Sequence, residues 1–226
     1  MSIRNNACFS MLVIGIVLYS AMSNLAWANN NDLGGQAYYQ SESNHGGDDR
    51  RHEHFNNRRH TQVGKFGYGL DLSNFNELDS VPTDDNYAEV VLEDSILGSV
   101  YIEQGSSIAG NKAKVVQSDS VGSEAGIWQY GGDNTALITQ TGKFNKAYIA
   151  QYGYGNKAWI NQAGNNNTAA IIQYGYGSSL SINQTGSNNQ AIIVDNGGSN
   201  YGISQNGNDY VAIVGGYGIN VYVTQN

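Results

Sequence analysis

One spacing dominates this sequence of 226 residues, because glutamines recur every eleven residues through much of its second half. Between them runs the pattern Gln-x-Gly-x-x-Asn-x-Ala-x-Ile-x, which is complete from Gln140 to Gln151. The glutamines that keep the interval are Gln129, Gln140, Gln151, Gln162, Gln173 and Gln184. A repeat of fixed length predicts a fold made by stacking one small unit that is not stable alone.

The residues of one unit divide between the two faces of a β-strand. Asn, Ala, Ile and Gln occupy every second position, so in a strand they point to the same side. The glycine two residues after each Gln marks a turn, since glycine adopts positive φ angles without strain. A strand and a turn reverse the chain once, and two units close one coil of about 22 residues. The sequence therefore predicts an all-β fold, a β-solenoid with cross-β stacking built from strand-loop-strand coils.

Stacking of coils explains how such a fold can bury many amide side chains. A buried Gln is costly unless its amide is hydrogen-bonded. In stacked coils each amide lies one strand spacing, about 4.8 Å, from the identical amide. We therefore predict structural ladders formed by the six glutamines and by Asn134, Asn145, Asn156, Asn167 and Asn189.

The small and apolar positions of the repeat receive their own assignments. The predicted apolar core consists of Ala136, Ile138, Ala147, Ile149, Ala158, Ile160, Ala169, Ile171, Ile182 and Ile193. The predicted turn glycines are Gly142, Gly153, Gly164, Gly175 and Gly186.

The repeat is irregular on both sides of its middle. Upstream, Gln104 and Gln117 continue the pattern at wider intervals, and downstream the intervals shorten to ten residues with a glycine in place of one Gln. We call one strand-and-turn unit of the repeat a rung. In a rung that is one residue short, we expect the set of residues that face inward to shift by one position. Val221, Val223 and Gln225 would then face inward.

The first 28 residues have the pattern of a secretory signal peptide. Arg4 gives the positive start, Met11–Tyr19 is a short apolar run, and Ala-Trp-Ala at 26–28 is a cleavage signal. The run is shorter than the ~20 residues that span a bilayer, which disfavours a membrane anchor. We expect the mature chain to begin at Asn29. It would then lack cysteine, because Cys8 is the only one, and so would have neither disulfides nor thiolate sites.

Charge separates a leader from the repeat array. Only 13% of the residues are charged, against about 25% in ordinary globular domains. Residues 45–65 carry four arginines and all four histidines, residues 66–110 carry nine acids and no base, and residues 129–226 are net neutral. We therefore divide the chain into a signal peptide (1–28), a polar, charged and disordered leader (29–87) and a repeat array (88–226) that is most regular over 129–195.

Residue patterns for catalysis or ligand binding are weak. The sequence lacks a Ser-His-Asp set, a phosphate loop and a recognised metal motif. The histidines between His45 and His60 allow a zinc or copper site, but their spacing favours a solvated leader. The tyrosines beside the turns, such as Tyr152 and Tyr154, suit turn packing better than a surface for sugars or dyes. We predict no catalytic residues, metal or cofactor, no enzymatic activity, and no established nucleic-acid partner.

The repeat resembles the curlin repeats of bacterial curli amyloid fibre subunits. The shared pattern is Ile-x-Gln-x-Gly-x-x-Asn-x-Ala-x-Ile-x-Gln, which is clean over 129–195 and weaker over 111–226. The family's ladder positions correspond to the glutamines and asparagines named above. The resemblance implies secretion through the periplasm and a dedicated curli outer-membrane channel with accessory factors. It also implies self-assembly with a partner curlin subunit into an extracellular cell-surface fibre (a fimbrium).

Two kinds of curlin subunit are compatible with the sequence. The tail from Ala212 to Asn226 resembles the irregular last repeat of the minor subunit, which nucleates the fibre, although it lacks that repeat's basic residues. The start at Gln129 and the long leader are closer to the major, fibre-forming subunit. We interpret the chain as the minor, nucleating subunit, serving adhesion and biofilm formation. The alternatives are the major subunit and, from another class, a monomeric secreted β-solenoid adhesin.

Overall fold

The structure, a computed structural model, describes residues 73–81, 84–106 and 109–226. The predicted signal peptide and most of the predicted leader, with its four histidines, lie outside the described residues. The described part contains one helix and thirteen strands: α1 (Ser73–Ser80), β1 (Tyr87–Glu93), β2 (Ser99–Ser106), β3 (Lys112–Val121), β4 (Glu124–Gly132), β5 (Thr135–Lys143), β6 (Lys146–Tyr154), β7 (Lys157–Asn165), β8 (Thr168–Tyr176), β9 (Ser179–Ser187), β10 (Gln190–Asp195), β11 (Asn200–Asn206), β12 (Tyr210–Val214) and β13 (Asn220–Gln225).

Consecutive strands alternate between two parallel sheets. The seven-stranded sheet has the order β1-β3-β5-β7-β9-β11-β13, and the six-stranded sheet has the order β2-β4-β6-β8-β10-β12. Each strand pairs with the equivalent strand of the next coil, so that Ala136 lies beside Ala158 and Ile138 beside Ile160, 22 residues apart. This confirms the predicted all-β solenoid of strand-loop-strand coils.

The apolar core lies between the two sheets. Alanine and isoleucine of each strand point inward and form continuous columns, and every residue of the predicted core is in this one buried cluster. The alanine column changes near the C-terminal end, where Leu180 and Tyr201 occupy it and are fully buried. The core is therefore one alanine and one isoleucine wide in each strand, and it grows only by adding coils.

One residue of the wider upstream spacing is absorbed by a β-bulge. The pairing of β3 with β5 shifts between Ser118 and Ser120. The extra residue, Asp119, has a φ of 48°. An inserted residue of this kind leaves the pairing on both sides of it in register, so Gln117 still lies beside Gln140.

The shorter downstream spacing is absorbed in the turns. Tyr201 pairs with Val221, Ile203 with Val223, and Gln205 with Gln225. The residues expected to face inward in the last strand do so, but they continue the existing columns. The expected shift of the inward face by one position is therefore wrong, because the missing residue is lost between strands rather than within one.

The helix α1 lies inside the segment that we expected to be a disordered leader. Phe75 and Leu78 are three residues apart, so they share one helix face, and both are buried. They pack on the outer face of the seven-stranded sheet against Leu137 and Trp159, and the Phe75 and Trp159 ring centroids are 5.1 Å apart. For residues 73–80 the expectation of disorder is corrected, because this contact with distant strands stabilises a helix too short to persist alone.

Across the described ranges, no helix is long and apolar enough to cross a membrane.

Candidate assembly interface

The inward glutamines form one amide column in each sheet. In the seven-stranded sheet, Gln140 Nε2 donates to Gln162 Oε1 at 2.9 Å, and Gln162 Nε2 donates to Gln184 Oε1 at 2.8 Å. The equivalent bonds of the six-stranded sheet, both 2.8 Å, connect Gln129, Gln151 and Gln173. All six predicted glutamines are fully buried. In every one of these bonds the donor belongs to the residue nearer the N-terminus, so both columns have the same polarity.

The columns extend beyond the regular repeat. Gln117 donates to Gln140 at 2.8 Å, and at the other end Gln205 donates to Gln225 at 3.2 Å. In the six-stranded sheet, Gln104 donates to Gln129 at 2.7 Å. The irregular rungs therefore take part in the same amide network as the regular ones.

Each of the six glutamines of the regular repeat also donates an amide hydrogen to the backbone. Gln162 Nε2 also donates to Lys146 O at 2.9 Å, and Gln140 Nε2 to Glu124 O at 3.1 Å. These carbonyls belong to the first residues of strands in the opposite sheet. These bonds connect the two sheets. They also pair both hydrogens of each buried amide, which removes the main free-energy cost of burying the glutamines.

The inward asparagines bond differently from the prediction of a simple amide ladder. Asn145 Oδ1 accepts from the backbone N–H of Asn167 at 3.1 Å, and Asn145 Nδ2 donates to Gly164 O at 2.8 Å. Two of the predicted asparagines do make amide-to-amide bonds: Asn189 Nδ2 donates to Asn167 Oδ1 at 3.0 Å, and Asn134 Nδ2 donates to Asn111 Oδ1 at 2.9 Å. Asn134 and Asn156 are fully buried as well. Because Asn is shorter and stands beside the turn, it mostly satisfies turn backbone groups of the adjacent rung.

The predicted turn glycines lie where adjacent turns approach most closely. Gly164 has a φ of 122°, and a Cβ added there would lie 1.9 Å from Gly186 O. Gly142 and Gly153 meet the same obstacle, whereas at Gly186 the nearest atom would be 3.5 Å away. Any side chain at Gly164 would force the stacked turns apart, so glycine is required in the middle of the array.

A second turn position was missed by the sequence analysis. It lies two residues after each of these glycines and has a positive φ, for example 56° at Phe144, 56° at Asn166 and 60° at Asn188. Asn tolerates this conformation, but a bulky aromatic residue is uncommon there. Phe144 is also more than half exposed. Because the residue type at this position varies between repeats, the sequence pattern did not identify it.

Each amide column lacks glutamine at one end, and the two columns lack it at opposite ends of the array. In the seven-stranded sheet, Leu92 lies beside Gln117 in the glutamine column, and Gln117 Oε1 has no hydrogen-bond partner among the described residues. In the six-stranded sheet, Asp195 lies beside Gln173 and is fully buried. Its Oδ2 accepts from Ser178 Oγ at 2.5 Å, whereas its Oδ1 lacks a partner within the described ranges.

Tyrosines stack along the outer surface of the six-stranded sheet. Tyr130 and Tyr152 have ring centroids 5.6 Å apart and nearly parallel planes, and Tyr152 and Tyr174 are 5.4 Å apart. Tyr130 donates a hydrogen bond to Glu103. Burial, together with this bond, raises the pKa of Tyr130 above its ordinary value. The ladder arrangement therefore also applies to outward side chains.

Ion pairs join the acidic stretch before the array to lysines on the seven-stranded sheet. The Lys114 ammonium, almost fully buried, lies 3.3 Å from Glu77 and 3.2 Å from Glu89. Burial opposes its charge, but the bonds to these two carboxylates raise the pKa of Lys114 above its ordinary value. Lys157 pairs with Asp79 at 2.7 Å. The negative charge that the sequence places before the array is therefore partly used to dock α1.

Among the residues that the structure describes, no three His, Cys, Asp or Glu side chains come together as a metal site. The arrangement offers two polar columns, a narrow apolar core and, at each end, strands with one unpaired edge. Such an arrangement has the chemistry of strand addition, in which backbone and side-chain amides both pair with the next strand.

Comparison with known proteins agrees with this geometry. Residues 144–175 match the family model of the curlin associated repeat. The match begins just before β6 and ends within β8, among the most regular coils. No curated protein and no solved structure matches the chain. The regular part of the β-solenoid therefore contains a match to the curlin associated repeat.

Proposed function

We propose that this chain is a structural subunit of an extracellular curli-type amyloid fibre that serves adhesion and biofilm formation. In this proposal it is exported through the periplasm and the curli outer-membrane channel with its accessory factors, and self-assembles at the cell surface. The structural role, rather than an enzymatic one, rests on the curlin associated repeat at residues 144–175 and on the solenoid.

The observation that carries the proposal is the pair of open ends of the solenoid. In the described part of the chain, β1 and β2 end the two sheets on one side, and β12 and β13 end them on the other. Soluble proteins usually protect such edges with charge, proline or a covering element. Residues 210–226 contain neither a charged side chain nor a proline. The C-terminal edge therefore has nothing in its sequence that opposes addition of another strand.

Within this role we assign the nucleating, minor-subunit function to the chain. Its last coils depart from the regular repeat in ways that suit an end rather than an interior: Gln205 and Gln225 are 20 residues apart instead of 22, and Asp195 and Tyr201 occupy columns of Gln and Ala. An irregular end that keeps the glutamine column on one sheet can offer that column to a regular partner curlin.

Two measurements test the proposal. Purified protein should form fibres that bind thioflavin and show a cross-β spacing, and substoichiometric amounts should shorten the lag phase of a partner curlin. Fibres without seeding activity would favour the major subunit. Protein that stays monomeric for days in size-exclusion chromatography, with no thioflavin signal, would contradict the fibre role and favour a monomeric adhesin.

A further inference from the structure

We infer that copies of this chain stack head to tail with a half-turn about the solenoid axis, so that the seven-stranded sheet of one copy continues into the six-stranded sheet of the next. The inference rests on the proposed fibre function and adds the geometry of the junction. The surfaces concerned are the C-terminal end strands β12 and β13 of one copy and the N-terminal end strands β1 and β2 of a second copy.

The order of the described strands disfavours a stack without rotation. The thirteen described strands alternate between the sheets, and both the first and the last belong to the seven-stranded sheet. Placing a second copy directly on the first would put β1 on β13 and leave one strand missing between β12 and β2. A half-turn restores the alternation, because β1 of the second copy then pairs with β12, and β2 with β13.

The half-turn preserves the direction and the inward face of every strand. Within each sheet all strands are parallel, and the chain reverses between the sheets. Rotation by half a turn about the axis exchanges the two sheets and their directions together. Because both sheets carry the same Ala, Ile and Gln columns, the inward positions coincide after the exchange.

The rotated stack continues one glutamine column across the junction. Gln225 ends the column of the seven-stranded sheet, and Gln104 begins that of the six-stranded sheet. In the rotated stack Gln104 of the second copy lies directly on Gln225. The polarity also fits, since every column bond has its donor on the N-terminal side. Gln225 Nε2 would therefore donate to Gln104 Oε1, whereas without rotation Gln225 would meet Leu92.

The rotated stack also places Leu92 opposite a position that holds no glutamine. Leu92 of the second copy falls opposite Gly215, which follows Val214 in the other column, so neither leaves a glutamine without a partner. The apolar columns match at the same time, with Val90 on Ile213 and Ile102 on Val223. Val90 and Leu92 are about half exposed at the end of the isolated array, which is the surface that this contact would cover.

Paired cysteines distinguish the two stacks. Ser99 and Asn220 are exposed, outward residues that become neighbours only in the rotated stack, whereas Tyr87 and Asn220 become neighbours only without rotation. Neighbouring residues of paired strands have Cα separations within the range that a disulfide accepts. The full chain with Cys8→Ser would carry either Ser99→Cys with Asn220→Cys or Tyr87→Cys with Asn220→Cys, with the single variants as controls. Fibres identified by electron microscopy would be oxidised and run on a non-reducing gel.

We expect covalent multimers from the 99/220 pair and none from the 87/220 pair or the single variants. Fibres whose 99/220 pair stays uncross-linked would overturn the rotated stack and leave the fibre function intact. If the parent chain formed no fibres at all, both the rotated stack and the proposed fibre function would be wrong. Gln225→Ala provides a thiol-free check, because losing the junction amide bond should slow elongation roughly five-fold. Thr224→Ala, on the outward side of the same strand, should elongate like the parent, and unchanged elongation of Gln225→Ala would also count against the junction.

Discussion

The middle coils of the array, β5 to β8, and the coils toward its two ends use the same fold under different constraints. In the middle, each inward side chain has an equivalent one strand away on both sides, and the backbone turns are in near contact. Toward the ends, Leu92 and Asp195 replace glutamines and Tyr201 replaces an alanine, and among the described strands only the outermost ones lack a neighbour on one side. The comparison teaches that even strands enclosed on both sides, such as β10 and β11, accept departures from the repeat as long as the pairing register is kept.

The largest expected difference between these regions concerns the turn glycines. Gly164→Ala would place a Cβ 1.9 Å from a carbonyl oxygen and at a φ of 122°, so the stacked turns must separate. We expect a loss of about 3 kcal/mol in the free energy of unfolding. Gly186→Ala, nearer the end, has room for the Cβ and should lose only about 1 to 2 kcal/mol from the positive φ. Urea denaturation monitored by circular dichroism measures both, and equal losses would remove the distinction between middle and end.

The glutamine columns give the next contrast. Gln162→Ala would leave Gln140 Nε2 and Gln184 Oε1 without their partners in a buried site. An unsatisfied buried group costs about 1 to 3 kcal/mol, so we expect a loss of roughly 2 to 4 kcal/mol. Gln225→Ala should cost the isolated chain less than about 1 kcal/mol, because Gln225 has one column neighbour and is half-buried. The same denaturation experiment applies. A Gln162→Ala protein as stable as the parent would show that its amide column contributes nothing.

A substitution of Asp195, which interrupts the amide column of the six-stranded sheet, should raise the stability of the fold. Asp195 buries a carboxylate among neutral groups, and one oxygen lacks a partner in the described part of the chain. Asp195→Asn keeps the shape and removes the buried charge, so we expect a gain of about 1 kcal/mol. Asp133→Asn, in an exposed turn with a φ of 55°, is the control and should change stability by less than about 0.5 kcal/mol. A loss of stability in Asp195→Asn would mean that the carboxylate is needed in this column.

The smallest expected effect lies at the turn position with positive φ. Phe144→Asn should gain up to about 1 kcal/mol, because Asn adopts this conformation more easily and Asn166 and Asn188 already do so. Lost packing of the Phe144 ring over Gly122 offsets part of the gain. The converse change, Asn166→Phe, should lose a similar amount. The melting temperature should rise for Phe144→Asn and fall for Asn166→Phe, and a fall for Phe144→Asn would show that ring packing outweighs the backbone strain.

The sequence predicts the middle of the molecule well and the rest of it less well, for physical reasons. A fixed eleven-residue interval determines which positions share a face and which coils stack, so the solenoid and its 22-residue pairing follow from Gln140, Ala147 and Ile149 and their equivalents. The bonding of the asparagines did not follow, because it depends on how near each amide lies to the next turn.

Features that depend on contacts between distant residues were beyond the sequence pattern. The helix α1 has only eight residues. It forms because Phe75 packs against Trp159, which lies 84 positions later in the chain. The pairing of Lys114 with Glu77 likewise depends on the packing of α1 on β3. The bulge at Asp119 conceals the continuity of the column, since an inserted residue breaks the interval without breaking the register.

The central claim is that each chain forms its own stacked coils and joins the fibre through its ends. Solid-state NMR of fibres made from isotopically labelled chain, alone and diluted in unlabelled chain, tests it directly. If the coils are intramolecular, contacts between Ala136 and Ala158 and between Ile138 and Ile160 should keep their full intensity per labelled chain on dilution. If these contacts vanish on dilution, each residue stacks on its own copy in neighbouring chains, and the solenoid account is contradicted.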